Sequence, residues 1–136
     1  MRISAKAEYA CLAALALARL RPGDPPARIH DISEEHGIPE RYLVQILLQM
    51  KGSGLVASTR GALGGYRLAR PAESISLAAV LDAIEGPDSP PRAAKDPAAR
   101  ALASIWTLVR DAERGVLERI SLAKLASQIA PHEWVI

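Results

Sequence analysis

Between residues 29 and 70 the apolar positions change their spacing four times, and each change marks an element. Ile29 and Ile32 lie one helical turn apart and predict an inward face on a helix from about His30 to His36, after which Gly37 supplies a left-handed turn residue. Ile38 buries beside that turn, and Pro39 pre-sets the first backbone angle of the next helix. There Leu43, Ile46, Leu47 and Met50 recur at i, i+3, i+4 and i+7, the stripe of a helix with one buried side. Gly52-Ser53-Gly54 stops that helix. Leu55 to Thr59 then reads as a strand, Gly61 to Gly65 as a turn, and Tyr66 to Ala69 as a returning strand. Helix, turn, helix, strand, glycine-rich loop and strand is the order of a helix-turn-helix followed by a β-wing.

The flanks extend this frame. Ser4 is placed to cap an alanine-rich helix that reaches Leu20 and is ended by Arg21 to Pro26. Ser76 caps a helix from Leu77 to Glu85 whose Leu77, Val80, Leu81 and Ile84 share one face, and Gly86 ends it. The prolines and charges from Pro87 to Pro97 cannot build a core and read as a linker or loop. From Ala98 to about Arg119 one long helix is expected, with Leu102, Ile105, Val109, Ala112, Val116 and Ile120 at three-four spacing and Trp106 and Leu117 widening the stripe. A stripe this long exceeds what a small winged domain covers, so Leu102, Ile105, Trp106, Val109, Val116 and Ile120 are expected to pair two copies of the chain. Ser121 caps a last helix from Leu122 to Gln128, and the apolar tail from Ala130 to Ile136 is expected to dock on the partner subunit. The fold class is therefore mainly α: a winged helix-turn-helix with a two-stranded β-wing and a long C-terminal dimerisation helix. Residues 1–86 form the DNA-binding domain, 87–97 the linker, and 98–136 the dimerisation helix and tail.

Charge sharpens the picture only when it is divided along the chain. Residues 1–70 carry ten Lys/Arg against six Asp/Glu, whereas residues 71–136 carry seven against nine. No acidic residue occurs between Glu40 and Glu73, while Arg41, Lys51, Arg60, Arg67 and Arg70 do, so the winged segment presents itself to a polyanion. Arg41, Gln45 and Gln49, four apart on the side of the helix opposite its buried stripe, suit base edges: Gln bonds adenine and Arg bonds guanine in two places. Periodicity alone favours an ordinary solvated face; the basic wing tips the balance toward DNA. The expected partner is double-stranded DNA, contacted by Arg41, Tyr42, Gln45, Gln49, Lys51, Arg60, Tyr66 and Arg67. The alternative is a winged-helix module that holds a protein partner, whose mark would be loss of the basic run.

Other chemistries find less support. A single cysteine, Cys11, excludes an internal disulfide and any cysteine-only zinc site, and points to a reducing cytoplasm. It lies in an apolar helix with nothing nearby in sequence to lower its pKa, so a small core residue is expected in place of a sensor. His30 and His36 lack a third ligand within reach and read as solvated surface, although His36 occupies a spot where an apolar residue is more usual. The loop from Gly61 to Gly65 is followed by no Walker lysine and leads into a strand, which argues against a nucleotide pocket. No grouping of His, Cys, Ser and Asp at catalytic spacing supports an enzyme. The apolar run from Tyr9 to Leu20 is too short to span a bilayer.

The segments GLVASTRGALGGYRLAR, DISEEHGIPERYLVQIL and MRISAKAEYA resemble the Rrf2 family of bacterial transcription regulators, most specifically at Gly54-Leu55-Val56, Arg60-Gly61 and Gly64-Gly65-Tyr66. The resemblance covers residues 1 to about 86 and implies a winged-helix homodimer on a palindromic operator, with Arg60 entering the minor groove. Iron-sulfur regulators of this family often carry Glu before the recognition-helix Gln; Val44 stands there, so base preference at that point should differ. Cluster-binding members place three cysteines in the segment 87–97 and a fourth ligand where Ala103 stands, and this chain has no cysteine at either place. A cluster needs several ligands, usually thiolates, so no cofactor is expected. Glu8 matches a carboxylate ligand of some relatives but alone reads as a helix-surface residue. The expected activity is that of a regulator, acting as a repressor, and its signal is left open among Cys11 thiol chemistry, a small ligand at the dimer interface and a protein partner.

Overall fold

The computed structural model describes residues 1–86 and 95–129. Helix α1 (Ala5–Ala18) is the strut of the fold: it packs against four other helices and against the second strand. Ser4 caps it by accepting from the Ala7 amide at 3.1 Å. Its buried face is Ala7, Ala10, Ala13, Ala14 and Leu17, small residues that let neighbouring helices approach closely. Helices α2 (Ile29–His36) and α3 (Glu40–Gly52) are joined at Gly37, whose φ of 66° is the left-handed conformation that side chains resist. Ile32, Ile38, Leu43, Ile46, Leu47 and Met50 are all buried in one core with the α1 residues, as their spacing predicts.

Strands β1 (Val56–Thr59) and β2 (Gly65–Leu68) pair antiparallel, with Val56 opposite Leu68 and Thr59 opposite Gly65. The hairpin is not free-standing. Ala27 exchanges both backbone hydrogen bonds with Tyr66, at 2.8 and 2.7 Å, and so pins the wing to the segment before α2. A Cβ on Gly65 would lie 2.4 Å from the Ala27 carbonyl oxygen, so only glycine permits this approach. The sequence pattern did not foretell this third backbone partner, because a single-residue bridge leaves no alternation.

Helix α4 (Leu77–Glu85) is capped by Ser76, which accepts from the Ala79 amide. Helix α5 runs from Pro97 to Arg119, about 34 Å at 1.5 Å per residue. Asp96 caps it by accepting from the Ala99 amide at 2.8 Å, and Pro97 occupies its first turn. These two residues, expected in the linker, therefore open the helix; the remainder of the linker, 87–94, and the tail, 130–136, lie outside the described residues. At its other end α5 joins the body: the Leu77 amide donates to the Ile120 carbonyl, the Leu122 amide to that of Ile75, and Arg114 grips both oxygens of Asp82 at 2.7 Å. Helix α6 (Leu122–Ser127), capped by Ser121, buries Leu122 in the same core as α1 and α3. No residue of α5 is fully buried. Among the described residues no helix is long and apolar enough to cross a membrane.

Candidate nucleic-acid interface

Helix α3 is held from behind. Leu43, Ile46, Leu47 and Met50 have no exposed surface, which fixes the rotation of the helix and leaves Arg41, Tyr42, Val44, Gln45 and Leu48 facing outward, with Gln49 half-buried at the margin. The Arg41 guanidinium lies 5.0 Å above the Tyr42 ring, a cation-π contact that orders it without neutralising it. Neither Arg41 nor Gln45 has a hydrogen bond or ion pair among the described residues. Beside them, Tyr42 and Gln45 share a cavity of about 430 Å³ with Ala5, Lys6 and Tyr9 at the start of α1. Lys6 is exposed and likewise unpaired among the described residues.

The wing meets this helix at its far end, where Lys51 Nζ donates to Ser58 Oγ at 2.7 Å. Arg60 is exposed with no partner among the described residues, at the base of a tip folded back by the Gly64 amide donating to the Gly61 carbonyl. Arg28 donates to the Ala62 carbonyl and so braces the tip. Tyr66 and Arg67 are tied to the body of the protein: Tyr66 packs against the core, and Arg67 Nη2 donates to the Asp24 carbonyl at 2.7 Å. Of the eight residues expected at DNA, the structure thus presents Arg41, Tyr42, Gln45, Lys51 and Arg60 at the surface, Gln49 at its edge, and Tyr66 and Arg67 half-buried.

Three residues on this surface are not evident from the sequence pattern. Val44 and Leu48 stand outward on α3 although they are apolar, and hydropathy alone counts them toward a core; their one-turn offset from Arg41 and Gln45 was the available signal. Lys6 belongs to a helix expected only to be structural, and no local pattern reveals that α1 begins beside α3.

The histidines part company. His30 is exposed, with ring nitrogens 3.2 Å from Glu34 and Glu40. His36, expected on the solvated surface, is instead half-buried: its Nε2 is shielded with no hydrogen-bond partner among the described residues, and Glu35 stands 3.8 Å away. The ring sits at the end of α2, directly before the Gly37 turn. Cys11 packs against the core, and burial, helped by Glu8 and Glu85, pushes its thiol up to about 11, so at neutral pH it is protonated and a poor nucleophile.

A braced wing beside a helix with an unpaired polar outer face is the setting in which relatives become informative. The profile of the Rrf2 family, described as an iron-dependent transcriptional regulator, matches residues 3–128. The chain belongs to the Rrf2 family. The HTH-type transcriptional regulator CymR of Bacillus subtilis is 36% identical over 129 residues, spanning 93% of this chain and 91% of that protein. The structure of CymR, the global cysteine regulator of B. subtilis, superposes with a TM-score of 0.83 at 33% identity, covering 96% of this chain and 99% of that one. T. potens IscR superposes with a TM-score of 0.78 at 29% identity, covering 96% and 93%. This Rrf2 member is accordingly a winged-helix, DNA-binding transcriptional regulator and not an enzyme. For the iron of the family description, the described residues offer no converging donor set. The one thiol in the sequence, Cys11, is half-buried against the core, and among the described residues no three of His, Cys, Asp and Glu converge to hold a metal ion.

Proposed function

We propose that the protein is a homodimeric, sequence-specific regulator that binds a palindromic operator without an iron-sulfur cluster and acts in the cytoplasm as a repressor. The observation that carries this reading is the outer face of α3: Arg41 and Gln45 are exposed and unpaired among the described residues, while the inner face is sealed. Polar groups left to water in this way are free to exchange it for base edges. In this arrangement Arg41 and Gln45 read the major groove, with Tyr42 and Gln49 flanking them. Arg60 senses the width and potential of the minor groove, and Lys51 and Lys6 neutralise phosphates. Tyr66 and Arg67 act one step back, by fixing the wing.

The dimer half of the reading rests on α5. Leu102, Ile105, Trp106, Val109 and Val116 are about half exposed on one side of it, and Leu108, which the three-four spacing left out, is 64% exposed. A second copy of the same helix covers such a stripe by symmetry, and sets the two reading heads about one helical turn of DNA apart, or a multiple of it. Residues 1–86 then serve DNA and α5 serves the pairing, with α6 closing the core of the head. Repression needs nothing more than occupancy of a promoter, and a ligand or partner that shifts α5 changes operator affinity without touching DNA.

Selection of bound sites from random duplexes tests the proposal. A palindrome should be enriched, and affinity should fall steeply with salt as counterions are released. Gln45→Ala should lose about 1–3 kcal/mol and relax preference at one base pair per half-site. Enrichment of no palindrome, or salt-independent binding, contradicts it.

A further inference from the structure

The outer face of α3 contains more carbon than a purely polar reader needs. Leu48 is 56% exposed and Val44 38%, one turn apart, and both stand in the row that contains Arg41 and Gln45. The described residues leave a substantial part of each open to solvent. Single exposed apolar side chains are ordinary, but two neighbours on a helix face that also bears the unpaired Arg41 and Gln45 form a patch with a purpose. The surroundings choose its occupant: Arg41 stands one turn before Val44 and Lys51 one turn after Leu48 on the same helix, and no acidic residue follows Glu40 until Glu73, so a polyanion is the complementary surface. Within a major groove the apolar group offered at the base edges is the 5-methyl of thymine.

We propose that Leu48, supported by Val44, reads a thymine methyl group and so determines operator sequence beside the base pair read by Gln45. The inference rests on α3 being the recognition helix. Gln45 and Leu48 are three residues apart, about 4.5 Å along the helix axis, and base pairs are spaced about 3.4 Å. The thymine therefore lies next to, or one beyond, the pair that depends on Gln45. An alcohol or amide at position 48 would hydrogen-bond a base edge; leucine offers only van der Waals contact, and it rewards the methyl by removing it from water.

The full-length protein and a duplex enriched by the selection above provide the test. Each thymine of the half-site is replaced in turn by deoxyuridine, which removes the methyl and leaves the hydrogen-bonding edge unchanged, and binding is followed by fluorescence anisotropy at fixed salt. At one thymine adjacent to the Gln45-dependent pair, the natural protein should lose about fourfold per half-site, the worth of one buried methyl. Leu48→Ala should be indifferent to the same replacement while keeping its response to changes elsewhere, and Val44→Ala should show a reduced penalty. Leu48 is exposed, so thermal melting of Leu48→Ala should match the natural protein. The inference is overturned if no thymine occupies that place, if no position responds to deoxyuridine, or if Leu48→Ala keeps the full penalty. Failure to enrich any sequence overturns the recognition-helix reading and this inference together. An enriched site whose preference shifts in Gln45→Ala but which ignores deoxyuridine overturns this inference alone.

Discussion

Helices α3 and α5 both turn outward a face that the described residues leave open, and the two faces differ in make-up: Arg41 and Gln45 stand among Val44 and Leu48 on α3, whereas the open side of α5 is a long apolar stripe. Behind α3 stand four side chains with no exposed surface, so the helix is held whatever its outer residues are, and those residues are free to be chosen for a ligand. Behind α5 there is little: no residue is fully buried, and the body grips it chiefly near its end, through Asp82–Arg114 and the backbone pairs at Ile120 and Leu122. Its own uncovered face carries Leu102, Ile105, Trp106, Leu108, Val109 and Val116. A helix secured by its core can present polar groups to a transient partner, whereas one secured at an end needs an apolar partner for its length. Helical stability in proteins comes mostly from such packing.

The largest effect expected from this contrast is at the α5 stripe. Ile105→Asp with Val109→Asp places charge in the pairing surface, and operator affinity should drop about a hundredfold or more as the two half-sites lose their linkage, with a monomer in sedimentation; a dimer with undiminished binding breaks the comparison. Next in size, Leu47→Ala opens a cavity behind α3 and should cost about 2–5 kcal/mol in chemical unfolding, while the outer Leu48→Ala leaves unfolding unchanged. A smaller effect belongs to the joint between head and long helix. Asp82→Asn weakens a bidentate pair to Arg114, whose guanidinium is held further above its ordinary pKa by that bond, and should cost about 1 kcal/mol. If unfolding is unaffected, the grip on α5 comes from the backbone pairs alone.

The smallest effect concerns Cys11, in the strut behind α3. Its folded thiol titrates near 11 against an ordinary value of 9.0, so folding favours the protonated form. The stability this contributes is complete below about pH 9 and is lost as pH rises through about 11, because the unfolded chain gives up its proton first. Cys11→Ala should flatten the pH dependence of unfolding between those limits, and the natural thiol should alkylate slowly at pH 8; rapid alkylation would mean that α1 opens locally.

Much of this architecture is written in one dimension. The stripe Leu43, Ile46, Leu47, Met50 has a single helical solution, Gly37 permits the turn before it, and Ser4, Ser76 and Ser121 each accept the amide three residues on, because capping is a local affair of one side chain and one turn. The acid-free basic run from Arg41 to Arg70 points to the surface proposed to meet DNA without any coordinates. Tertiary structure decided what depends on residues far apart in sequence. The Arg67 side chain is drawn to the Asp24 carbonyl, the Tyr66 backbone to that of Ala27, and His36 Nε2 is shielded from solvent, since each depends on which segment of chain passes near it. Likewise Lys6 comes to share a cavity with Tyr42 and Gln45, and Leu48, apolar in composition, is left outside because the helix has only one face to bury. Periodicity determines that a helix has two faces; packing determines which groups each face meets.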